Sequence, residues 1–152
     1  MISIVLCGLI ATPAISGTVA ADKRINLVEG TAQTGNVKTP HMTITYNYTL
    51  SKKQLAMTGE FKFAESLATI FSTGLKSFNL QVLLLDANGK VVQRSNVKLG
   101  KDLPAGKAFD AKLSVPAQAK AMAFYYTGQT AASPEGASTS FFYEPTSGLL
   151  KK

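Results

Sequence analysis

From Met42 to Leu50 the chain alternates without a break. Met42, Ile44, Tyr46, Tyr48 and Leu50 fall on one parity, and Thr43, Thr45, Asn47 and Thr49 on the other. A period of two gives an extended strand with one buried and one wet face. The rhythm resumes after Ser51-Lys52-Lys53-Gln54, with Leu55, Met57, Phe61 and Phe63 set against Ala56, Thr58, Glu60 and Lys62. Two such runs joined by a short polar turn predict an antiparallel hairpin. Gly59 falls on the apolar parity, where it predicts a bulge or the close packing of a neighbour.

The same reading extends along the chain. Phe78, Leu80, Val82 and Leu84 share one face of a strand over 77–85, and the unbroken Val82-Leu83-Leu84-Leu85 run predicts cover on both faces near its end. Asp86-Ala87-Asn88-Gly89 is a turn, with Asn-Gly tolerating positive φ. A return strand runs from Val91 to about Leu99. Lys101–Gly106 is a loop, and Phe109, Ala111, Leu113 and Val115 form a half-buried strand that Pro116 stops. Met122, Phe124 and Tyr126 alternate in the next strand, and Ser140–Tyr143 is a short last one. Residues 22–27 add a first strand and 30–40 a loose connection. Between 64 and 75 the spacing of Leu67, Phe71 and Leu75 predicts a short helix or crossover. The expected architecture is a single all-β domain over 22–144. It is an antiparallel immunoglobulin-like β-sandwich of seven or eight strands, followed by a flexible tail over 145–152.

Residues 1–21 have a different character. Ile2–Ala11 is almost wholly apolar, small residues follow, and the first charges are Asp22, Lys23 and Arg24. An apolar run ending in small residues at −3 and −1 is the pattern of a secretory signal peptide, with cleavage after Ala21 as the working expectation. No basic residue precedes the run. Lipidation at Cys7, a retained anchor and a buried strand are the alternatives. Pro13, Ser16 and Gly17 interrupt the run short of the roughly 20 apolar residues that a membrane span needs. The expected location is therefore exported, periplasmic or extracellular, in association with the envelope. Cys7 is the only cysteine, so packing rather than disulfides must hold the domain together.

The segment Val82–Val92, followed by Asp102-Leu103-Pro104-Ala105-Gly106 and Phe109, resembles small exported bacterial immunoglobulin-like domains of the FxLYD type. In these a hydrophobic strand ends in Asp, turns through Gly and returns with paired valines, and a Leu-Pro-x-Gly loop leads into the next strand. The resemblance spans about 77–124. It implies the sandwich fold and a generally non-catalytic role.

Chemistry-bearing residues are few. His41 is the only histidine, and it is expected to be solvated or to cap a strand rather than to bind a metal. Asp86-x-Asn88-Gly89 lacks the spacing and closing glutamate of a calcium loop. Glu60 and Glu65 are expected to be surface charges rather than a glycosidase pair. Asn47-Tyr48-Thr49 is a formal glycosylation acceptor. No catalytic, cofactor or metal residue is expected. The net charge of +7 is spread over single lysines; it is compatible with an anionic polymer or membrane surface, and nucleic acid is not expected. Tyr125-Tyr126 and Phe141-Phe142-Tyr143 must point alternately to the two faces of a strand. Their outward members are either covered by the crossover, the expected arrangement, or exposed as a binding patch.

Two function classes follow. The first is a non-enzymatic, extracytoplasmic binding or accessory module whose partner is another envelope or surface protein, with a contact surface at Tyr125, Phe142, Lys112 and Lys120. The second is a carrier of a small hydrophobic ligand, in which Tyr46, Tyr48, Met57, Phe61, Phe63, Phe78 and Phe124 line a cavity.

Overall fold

The computed structural model describes residues 18–64, 75–99, 108–130 and 138–145. Among the described residues ten strands lie in chain order: β1 (Ile25–Asn26), β2 (Gln33–Lys38), β3 (Met42–Ser51), β4 (Gln54–Phe63), β5 (Leu75–Leu85), β6 (Val91–Asn96), β7 (Lys98–Leu99), β8 (Ala108–Ser114), β9 (Ala121–Thr130) and β10 (Ser140–Tyr143). They form two antiparallel sheets. Sheet one has the order β6-β5-β9, with β1 and β10 sharing the far edge of β9, and sheet two has the order β2-β3-β4-β8-β7. From β3 onward the eight strands follow immunoglobulin connectivity: A, B, E and D in one sheet, and C′, C, F and G in the other. β1 and β2 are N-terminal additions.

The alternation at 42–63 produces the expected hairpin in perfect register, Met42 opposite Phe63 and Ser51 opposite Gln54. Its inward side chains meet Leu80, Val82, Leu84, Met122, Phe124 and Tyr126 of sheet one in a single core. The two-residue turn is unusual, because Lys52 and Lys53 both carry positive φ, 50° and 60°. Such primed turns match strand twist but favour Asn and Gly, and a left-handed lysine costs roughly 1–2 kcal/mol. Lys53→Gly should therefore raise the urea midpoint, by an equivalent of about 1 kcal/mol.

Gly59 makes no bulge. The β3–β4–β8 register runs straight through it, and a Cβ there would collide with the Phe109 ring and the Thr45 carbonyl. Gly35 and Gly128 repeat the device, covered by the rings of their cross-strand partners Tyr46 and Phe141. Each of the three glycines thus gains aromatic cover without a break in strand register, Gly35 on an edge strand and the other two on central strands.

Three expectations change. Residues 30–40 hold β2, an edge strand whose half-buried positions are Gln33, Gly35 and Val37. Only one of them is a large apolar residue, so periodicity could not show it. The return strand after Val91 is two strands, because the chain leaves sheet one after Asn96 and enters sheet two at Lys98. The turn at 86–89 places only Gly89 at positive φ (81°). The Asp86 carboxylate accepts from the amides of Asn88 (2.8 Å) and Lys90 (3.0 Å), so it serves the turn. The helix or crossover expected over 64–75 falls almost wholly outside the described residues, as do the 101–106 loop, Glu65 and all but Pro145 of the tail; β5 begins at Leu75. Thr18, Val19 and Ala20 already belong to the folded unit, and Val19 is fully buried.

Candidate functional site

Sheet one turns a graded surface outward. At one end lie Leu83, Leu85, Ala121 and Ala123, all buried. In the middle, Gln81 sits opposite both Tyr125 and Asn96. The Arg94 guanidinium lies 5.3 Å from the Tyr125 ring centre and donates from both Nε (3.2 Å) and Nη2 (2.9 Å) to Gln81 Oε1. Gln81 Nε2 then donates to Asn96 Oδ1 at 2.8 Å. This chain fixes the guanidinium over the ring, an arrangement worth about 0.5–1 kcal/mol at an accessible site. At the far end Phe142 pairs with Thr127, which pairs with Asn79. Its side chain is 56% exposed, so the expected covering of both outward aromatics holds for neither fully: Tyr125 is half-covered and Phe142 is open.

The four residues expected to form one contact surface therefore separate. Tyr125 and Phe142 share the outer face of sheet one. Lys112 is exposed on β8, in register with Ala56 on the outer face of sheet two, across the whole sandwich. Lys120 is exposed in the link before β9, where its backbone bonds Leu85 and Leu27. Parity along β9 locates Tyr125, but the sheet to which β8 belongs could not be read from alternation alone.

The outer face of sheet two is polar and carries two shallow hollows. One, of about 680 Å³, is lined by residues including Thr45, Asn47, Thr58, Glu60, Lys98 and Asp110. The other, of about 320 Å³, shares Asn47, Thr58 and Asp110 with it. Glu60 is exposed there, and Asn47 and Thr49 of the glycosylation sequence also face outward. Among the described residues, no three His, Cys, Asp or Glu side chains converge to hold a metal.

The rings expected to line a carrier cavity contact one another instead. Phe61 and Phe78 centres are 5.1 Å apart, Tyr46 and Phe124 5.6 Å, and Phe63 and Phe78 6.0 Å. These are ordinary packing separations for aromatic pairs, and they favour a filled interior.

His41 is half-buried between the Tyr126 and Phe141 rings. Its Nδ1 lies 2.8 Å from the Tyr126 hydroxyl, which also meets Thr39 Oγ1 at 2.7 Å. Burial holds the imidazole below its usual 6.5 and pushes the phenol up to about 12. The histidine thus binds its proton more readily in the unfolded chain. Its contribution to stability is complete above pH 6.5 and is lost as pH falls below that value. For Tyr126 the loss runs the other way, from pH 10 up to about 12. Urea unfolding between pH 7.5 and 5 should show a decline in stability that His41→Asn largely removes.

No protein-family model matches the sequence, and neither a curated protein nor a solved structure shows significant similarity to it.

Proposed function

We propose that this protein is a non-enzymatic binding or accessory module that works outside the cytoplasm, at the cell envelope or surface, and that its partner is another protein there. The observation that carries the reading is Phe142, a large apolar side chain left 56% exposed on the sheet face that also holds the Tyr125–Arg94–Gln81 array. An exposed aromatic beside ordered polar groups is the composition of an interaction patch. The apolar run at residues 2–11 supports export, and the single histidine and single cysteine of the sequence support a role without catalysis.

A photoreactive phenylalanine at position 142 should give one discrete protein adduct in the producing cells, while the same group at Thr45, on the opposite sheet, gives none. Phe142→Ser should abolish recovery of that partner and change stability by no more than about 0.5 kcal/mol. A protein that forms no discrete adduct at 142 would refute the reading.

A further inference from the structure

An outward sheet face ordinarily meets water, yet Leu83 and Leu85 have no exposed surface at all. Val19, itself completely buried, packs on them together with Ala121 and Ala123. Its segment is tied down on every side. Thr18 forms an antiparallel bridge with Lys90. The Val19 amide donates to the Gly89 carbonyl at 2.9 Å, and the Ala20 amide to the Pro145 carbonyl at 3.2 Å. Arg24 reaches back, with Nε on the Val19 carbonyl at 2.8 Å and Nη2 on the Asn88 carbonyl at 3.1 Å. A Cβ at Gly89 would strike this guanidinium, so the turn accommodates the arginine as well as its own positive φ.

A signal peptidase selects small residues at −3 and −1, a few positions after the apolar run. Val19 and Ala21 meet the size rule, but a cut after Ala21 removes Val19 with its bonds to Gly89 and Arg24, and Ala20 with its bond to Pro145. Thr12 and Ala14 meet the same rule directly after the apolar run Ile2–Ala11, and Ala14 and Ser16 meet it two positions later; alanine at −1 favours the first. A cut there leaves Thr18–Arg24 whole.

We propose that the chain is processed after Ala14, and that residues 18–24 remain as a strap whose Val19 closes the outer face of sheet one. The processing site rests on the export reading above, whereas the strap does not. The full chain is to be expressed in an exporting host, and the exported protein read by intact mass and N-terminal sequencing. A start at Ile15 is expected. Any other start overturns the assigned cut, and a start beyond Val19 in a stably folded product overturns the strap as well. An uncut chain retained in the cell overturns both the cut and the export reading. The strap is tested separately by comparing chains that begin at Ile15 and at Asp22. The shorter chain should melt about 10 °C lower or fail to fold, and should bind a hydrophobic dye if it folds. In the longer chain Val19→Ser should lower the midpoint by several degrees. Unchanged midpoints in both comparisons overturn the strap.

Discussion

Replacing Gly59 with alanine should destabilise the domain by about 2–3 kcal/mol, read as a lower urea midpoint with an unchanged slope. The added methyl has no room, since it would meet the Phe109 ring on one side and the Thr45 carbonyl on the other. The ring already meets Phe124 edge-on at 6.2 Å. The carbonyl belongs to β3 backbone and cannot yield without breaking the register with β4. Ala56→Gly, on the same strand but facing solvent, should cost only the ordinary strand penalty of about 0.5–1 kcal/mol. If the two substitutions prove equally mild, the close contact over Gly59 does not exist in solution.

Tyr126→Ala should cost still more, about 3–5 kcal/mol. Tyr126 has no exposed surface, and its ring meets Phe78, Phe141, Tyr143 and His41 within 6.1 Å. Removing it opens a cavity where strands β9, β5 and β10 converge. Tyr126→Phe should cost only about 1 kcal/mol, because it keeps the ring and gives up the bonds to Thr39 and His41. It should also lessen the loss of stability above pH 10, leaving the share that burial of Tyr46 and Tyr143 contributes. Against a typical total of roughly 5–15 kcal/mol, the alanine variant is expected to be partly unfolded at 37 °C, a result that circular dichroism melting would reveal.

These two sites differ in how far they could be read from the chain. The apolar parity of Tyr126 follows from Met122 and Phe124, and the position of Gly59 within a run of inward residues already asks for a neighbour pressed against it. The identity of that neighbour does not follow, because Phe109 is 50 positions away and arrives through the long-range pairing of β4 with β8. Strands with a strong two-residue rhythm, β3, β4, β5, β8 and β9, were legible for the same reason. β2 was not, since of its inward positions only Val37 is a large apolar residue, and Gly35 is covered by the Tyr46 ring of β3. Nor was the division at Val97, where one continuous polar-apolar stretch serves two sheets. In the candidate site, parity set Tyr125 and Phe142 on a common outward face. The pairing of Arg94 with Tyr125 depends on the β6 register, which is shifted by the irregularity between Leu84 and Leu85 and leaves no periodic trace.

The hydrogen bond from Ala20 to Pro145 has a topological consequence. It brings the first and last of the described residues close together, beside the β9 edge that β1 and β10 share. The described part of the domain is therefore close to a closed loop of chain. A short Gly-Ser bridge between Pro145 and Thr18 would complete the loop, and the cut could be moved to the exposed Lys52–Lys53 turn, where no core side chain lies. Such a permuted chain would keep every strand neighbour, relieve the left-handed lysines of their constraint, and join Pro145 to Thr18 through an internal hairpin-like connection.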